Sequence, residues 1–245
     1  MINLINDNCL NVMKNEMVIG HTTLTITSPP YNMNLRIKNG KYLKRTEKSK
    51  ISTKYKNFDD NLIMEDYYKF NEEVLNYLTQ VSNLVFFNIQ FLTGNKRALF
   101  KLIGEFNEQL KEVIVWNKVN AQPAISEKVL NSQYELLLVF DRINAISRLF
   151  ENATFDRGTL SNVWDIKREK KINKNHGAVF PEKLVEKIIL NFSKPGDLVF
   201  DPFMGTGTVG VVCKKYNRHF LGIELNKEYY DFAAERINNT QIGLF

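Results

Sequence analysis

Two short runs hold the residue types that chemistry needs. Thr27 to Asn32 reads TSPPYN, an apolar strand pattern stopped by two prolines and a tyrosine, and Asp201 to Thr208 reads DPFMGTGT. Consecutive prolines fix φ twice and remove two backbone donors, so nearby carbonyls and the Ser28 hydroxyl can accept hydrogen bonds without competing N–H groups. Tyr31 adds an aromatic face. In the second run, Phe203, Gly205 and Gly207 fall in a turn from an apolar strand into a helix, where glycine lets the backbone approach a ligand closely. Glu224 follows Asp201 by 23 residues, near the roughly 20-residue offset at which an acid meets ribose hydroxyls. A strand-to-helix turn that binds nothing would use the same glycines. The acid at that offset is what argues for a ligand. The third glycine of the dinucleotide fingerprint is missing and no Gly-Lys-Ser/Thr follows, so a phosphate-binding P-loop is not supported.

Such residues need a frame. Strand-like and helix-like segments alternate almost throughout, which predicts one α/β domain with a mostly parallel sheet and helices on both faces. Strands are expected over 1–5, 22–27, 84–88, 112–116, 132–140, 198–200 and 220–223. Helices are expected over 8–17, 65–81, 95–110, 208–216, 227–237, and from Pro181 to about 192, with proline at the first helical position. The 132–140 strand is placed antiparallel at a sheet edge. Two segments break the pattern. Residues 33–57 carry nine Lys and Arg against Glu47 alone, and 142–175 is also irregular and basic.

The net charge of +6 and pI near 9.1 suit a polyanionic partner without requiring one. Cys9 and Cys213 stand far apart with no CxxC or Cys/His cluster, so neither a disulfide framework nor a metal site is expected, only reduced buried thiols. The start lacks a charged segment leading into a long apolar one, and no run approaches 18 uninterrupted apolar residues. A soluble, cytoplasmic protein with no membrane span is expected.

Read together, TSPPYN and DPFMGTGT resemble the β-class amino-methyltransferases, which methylate exocyclic nitrogens of DNA bases with S-adenosylmethionine. In that permuted order the catalytic motif precedes the cofactor loop, whereas in enzymes methylating glutamine an NPPY-type motif follows it. The resemblance covers most of the chain. HGAVFPEKL (176–184) is similar to an HPAxFPxxL segment near the methionine end of the cofactor, with Gly177 departing from the usual proline. NVWDI (162–166) and VWNK (115–118) resemble further family segments, and INDNCLNVM (5–13) resembles one whose acid reaches the cofactor adenine. Each has a plainer use as well: Asp7 suits a helix cap, His176 a loop hydrogen bond and Trp116 the core.

The resemblance implies a Rossmann-like, circularly permuted methyltransferase fold with 1–245 as a single catalytic domain. Within it, 33–57 would be a mobile DNA-binding loop using Arg36, Lys38, Lys41, Lys44 and Arg45, 120–175 the target-recognition region and 176–245 the cofactor-binding part. S-adenosylmethionine would meet Asp7, Cys9, His176, Phe180, Pro181, Asp201, Phe203, Gly205, Thr206, Gly207, Thr208, Glu224 and Leu225. Ser28, Pro29, Pro30 and Tyr31 would be catalytic. A base amino group delocalises its lone pair into the ring, so acceptors such as Ser28 Oγ and the Pro29 carbonyl would favour a pyramidal nitrogen aimed at the methyl carbon. Tyr31 would stack on a flipped base. Transfer would be direct and in line, since neither cysteine has the Pro-Cys context of carbon-5 cytosine methylation, and no metal is implied. Ser-Pro-Pro-Tyr resembles the cytosine-N4 group, with adenine N6 as the alternative. An enzyme acting on RNA or protein, and a catalytically silent nucleic-acid-binding subunit, are readings from other classes. The implied partners are double-stranded DNA, a cognate restriction endonuclease as a separate protein and a second copy of the chain, in a prokaryotic or phage-encoded setting.

Overall fold

Apolar runs such as LVFD, HFLGI and SNLVFFNI make strands that are buried on both faces, as parallel strands covered by helices must be. The computed structural model describes residues 1–16, 22–33, 37–38, 41–42, 61–122, 127–169 and 180–243. In chain order its elements are β1 (Ile2–Ile5), α1 (Cys9–Glu16), β2 (Thr22–Thr27), β3 (Ile37–Lys38), β4 (Lys41–Tyr42), α2 (Met64–Val81), β5 (Ser82–Ile89), α3 (Lys96–Glu105), β6 (Leu110–Gln122) and β7 (Ser132–Asp141). They continue with β8 (Val163–Asp165), α4 (Glu182–Phe192), β9 (Leu198–Asp201), α5 (Thr208–Lys215), β10 (His219–Ile223) and α6 (Lys227–Asn238). The main sheet has eight strands in the order β1-β10-β9-β2-β5-β7-β6-β8. All neighbours run parallel except β7, which is antiparallel to both β5 and β6.

Helices cover both faces, as expected. One core packs α4, α5 and α6 on the sheet through Leu184, Ile188, Val212 and Ile237, and the other packs α1, α2 and α3 through Met13, Leu75, Leu78 and Leu102. The connection from β2 through α2 to β5 therefore lies on one face and that from β9 through α5 to β10 on the other. Their strands diverge in order between β9 and β2. This is the topological switch point, and ligands of open α/β sheets bind in the crevice outside the carboxyl ends of such strands.

Three expectations need correction. The 132–140 strand is antiparallel, but it lies inside the sheet, because Leu137 to Phe140 form an unbroken run with no exposed face. The expected helix over 95–110 ends at Glu105: Phe106 turns inward against Phe140, Asn107 Nδ2 donates to the Gly104 carbonyl, and Leu110 already opens β6. Pro181 is the N-cap of α4 with extended backbone, one residue earlier than expected. The Glu182 N–H at that helix start is instead accepted by the Glu169 carboxylate at 2.8 Å.

Candidate active site

β2 and β9 are paired at Leu24 with Val199 and at Thr25 with Phe200. Just beyond, Thr27 Oγ1 donates to Asp201 Oδ1 at 2.8 Å, so the last side chains of the two strands clasp across the switch point. The TSPPYN and DPFMGTGT runs, 173 residues apart from Ser28 to Asp201, thereby share one crevice.

The Pro-Pro turn is held from beneath. Tyr67 Oη donates to the Pro30 carbonyl at 2.9 Å, and Asn95 Nδ2 donates to the Tyr31 carbonyl at 2.7 Å. Asn32, at φ 50, exchanges two hydrogen bonds with the backbone of Leu62. Among the described residues none donates to the Pro29 carbonyl, the one expected to act as an acceptor. Tyr31 is buried, with its hydroxyl turned inward: it donates to Glu135 Oε2 at 2.8 Å and accepts from Ser28 Oγ at 3.0 Å and from Asn88 Nδ2. A base can stack on this ring only by displacing what covers it. Glu135 is ion-paired with Lys118 at 2.7 Å, and Lys118 is 2% exposed.

The glycine loop starts from Asp201, which also accepts the Phe203 N–H at 3.1 Å. Gly205 and Gly207 both have positive φ, at 54° and 78°. At Gly207 a Cβ would stand 2.9 Å from Ala233 Cβ, so α6 packs where any side chain would be. Glu224, just after the end of β10, accepts Gly205 N–H at 2.9 Å and Asn226 N–H at 2.8 Å, tying the second acid to the loop. Arg236 donates to the Thr206 carbonyl and to Thr208 Oγ1, and Glu182 holds that guanidinium at 2.7 Å. Thr206 and Thr208 are buried, and Phe203 packs its ring on Phe70.

Burial governs both acids. It pushes Asp201 up to about 7, with the nearby Glu224 charge adding to the rise and the Thr27 and Phe203 hydrogen bonds opposing it. Glu224 is raised as well, chiefly by burial. The hydrogen-bond partners of both carboxylates are hydroxyl and backbone N–H groups, and no Lys or Arg among the described residues pairs with either. Two desolvated carboxylates without a cation are the donor set that suits a cationic ligand.

The other expected residues fall into three groups. Asp7 is exposed where β1 ends, and Asn6 Nδ2 ties that turn to the carbonyls of Glu224 and Leu225. The cap of α1 is Asn8, whose Oδ1 accepts Leu10 N–H, so Asp7 is spared the capping role. Leu225 is exposed on the same rim, whereas Cys9 is buried and its thiol pushed up to about 12 by burial. Phe180 is half-buried against the α4 to α6 core, and Trp116 is core, its Nε1 donating to the Ile166 carbonyl. His176 with Gly177, and Arg36, Lys44 and Arg45, lie outside the described residues. Lys38 and Lys41 oppose one another in the β3–β4 ladder.

Sequence reasoning missed Asn88, Asn95 and Glu135. Their signal was weak: Glu135 and Asp141 both flank the apolar run Leu136 to Phe140, so the first was not singled out, and Asn88 is the one amide ending the apolar part of β5.

A permuted α/β sheet with a glycine loop and two acids at its switch point defines a Rossmann-like methyltransferase of the S-adenosylmethionine-dependent class. Over residues 22–235 the chain matches the N6/N4 DNA methylase family, and it belongs to that family. It is 29% identical to the type II methyltransferase M.HpaI of Haemophilus parainfluenzae, over 96% of this chain and 74% of that protein. It is 39% identical to M.Cfr9I of Citrobacter freundii over 133 residues, where the match spans 52% of this chain and less than half, 44%, of the relative. Among solved structures, the cytosine-N4-specific PvuII DNA methyltransferase superposes with a TM-score of 0.72 at 17% identity, covering 97% of this chain and 87% of that one. The S-adenosylmethionine complex of M1.HpyAVI gives a TM-score of 0.65 at 20% identity, covering 97% and 100%.

Proposed function

We propose that the chain transfers a methyl group from S-adenosylmethionine to the exocyclic N4 of a cytosine flipped out of double-stranded DNA. The observation that carries this reading is the Thr27–Asp201 clasp, which sets the acceptor-rich Ser28 turn beside a loop suited to a cationic cofactor. Asp201, Glu224 and the Gly205–Gly207 backbone would hold that cofactor, with Asp7 at the rim. When bound it supplies a methyl group activated by a positive sulfonium.

The chain's own residues do the rest. Ser28 Oγ and the Pro29 carbonyl accept the amino protons of the target base, which turns the nitrogen lone pair out of conjugation and fixes its direction. The positive charge on the nitrogen after transfer makes its proton strongly acidic, so no dedicated base is required. Asp201 and Glu224 would offer acceptors to the cofactor, Glu224 at the offset of an acid that meets ribose hydroxyls.

Serine at position 28 and the likeness to a cytosine-N4-specific enzyme support cytosine. The matching family spans N6 as well as N4 enzymes, so transfer to adenine N6 is the second reading. Incubation with unmethylated DNA and labelled cofactor, followed by digestion to nucleosides and mass spectrometry, separates the two. N4-methylcytosine is the expected product, while N6-methyladenine would reverse the base assignment and leave the mechanism standing. Ser28→Ala is expected to lower the rate about 100-fold, and full activity would remove the role given to that hydroxyl.

A further inference from the structure

Around the Tyr31 hydroxyl stand three polar groups, and the roles of two of them are fixed by chemistry. Asn88 Nδ2 can only donate, and the carboxylate of the Lys118–Glu135 ion pair can only accept. The amide cannot be reversed, because its oxygen would then face Glu135 Oε2, which Asn88 Nδ2 now contacts at 2.7 Å. The structure instead leaves Asn88 Oδ1 buried without a partner among the described residues. With Asn88 donating, the Tyr31 proton goes to Glu135, and the hydrogen bond from Ser28 at 3.0 Å must carry the Ser28 proton toward Tyr31. Ser28 Oγ is thereby left with lone pairs only.

We propose that Glu135, held in place by Lys118, is a positioning residue that sets the direction of this hydroxyl chain, so that Ser28 meets the target amino group purely as an acceptor. Without that carboxylate the Tyr31 hydroxyl would lose its acceptor and could turn its proton onto Ser28 Oγ. Ser28 would then present a donor where the amino group also brings donors. The inference rests on the proposed reading that Ser28 accepts from the target amine.

Glu135→Leu alone would strand the buried Lys118 charge, so the test combines Lys118→Met with Glu135→Leu, which keeps the site neutral and filled. Expected is a fall in kcat of at least about tenfold, with the KM for cofactor and for DNA unchanged. Lys118→Met with Glu135→Gln, whose amide oxygen still accepts from Tyr31 and Asn88, should recover most of the rate. In a Tyr31→Phe background the chain is already cut, so the two double substitutions should there have the same kcat. An unchanged kcat on combining Lys118→Met with Glu135→Leu would overturn the inference alone. So would a difference between glutamine and leucine at position 135 that persists in the Tyr31→Phe background. Absence of amino-methylated base with the unmodified chain would overturn the proposed reaction, and this inference with it.

Discussion

Asp201 is the residue on which charge and burial meet at the switch point. Its carboxyl is raised from 3.8 to about 7 by burial, so a proton bound in the folded chain is lost on unfolding at intermediate pH. The stability it contributes is fully present below pH 4 and is lost as pH rises through 7, at a slope approaching about 1.4 kcal/mol per pH unit between them. Denaturant titrations of the cofactor-free protein should therefore show stability falling over that window, and Asp201→Asn should flatten the fall. A slope that is the same in both proteins would show that Asp201 does not carry it. Gly207 makes the complementary case for shape. Its φ of 78° and the 2.9 Å approach to Ala233 leave no position for a methyl group, so Gly207→Ala is expected to cost about 1–3 kcal/mol in denaturant titrations. Ser28, Asp201, Gly207 and Glu224 were legible because each sits in a short run whose spacing carries meaning. Glu135, Lys118 and Asn88 were not, because they meet only when three strands are placed side by side.

At the scale of elements, the glycine loop is braced by the helix layer behind it. Burial alone would raise Glu182, but the hydrogen bonds and charges of Lys215 and Arg236 outweigh it and hold the carboxyl below its ordinary range. One carboxylate at the start of α4 thus joins α5 to α6, and Arg236 passes the restraint to the Thr206 carbonyl and Thr208. Arg236→Met keeps the aliphatic stem and removes these donors. It should cost about 1–3 kcal/mol in thermal or denaturant melts and weaken cofactor binding in a direct titration. Lys227→Met breaks an exposed ion pair with Asp231 on the same helix and should change stability by no more than about 0.5 kcal/mol. A loss of equal size in both would deny the brace. The elements themselves followed from hydrophobic period and turn residues, so the strand-loop-helix-strand run from β9 to β10 was read to within a residue or two. The place of β7 was not, since antiparallel pairing is compatible with an edge or an interior position until both neighbours are known. Its unbroken apolar run was the clue to the interior.

Across the whole molecule, the basic charge is concentrated. Nine of the 33 Lys and Arg and one of the 27 Asp and Glu lie in residues 33–57, so the rest of the chain has 24 basic residues against 26 acidic ones and is slightly anionic. A polyanion would then be drawn first to the segment that directly follows the Ser28–Tyr31 turn, with the smaller basic excess of 142–175 as the second attraction. Each lysine or arginine that neutralises a phosphate releases counterions, which steepens the dependence of log K on log[salt] by about 0.9 for duplex DNA. Replacing Lys41, Lys44 and Arg45 together with alanine should weaken binding to any duplex, irrespective of sequence, and make that slope shallower by roughly 2–3. On the reading that these residues hold the phosphate backbone, the rate of transfer from a saturated complex should change little, since backbone contacts do not act on the reacting base. Affinity measured by anisotropy at several salt concentrations, for a methylatable duplex and an unrelated one, tests both halves of the statement. If affinity and slope were unchanged, the charge in 33–57 would be only a solvated surface and the DNA would have to be held by the basic residues of 142–175.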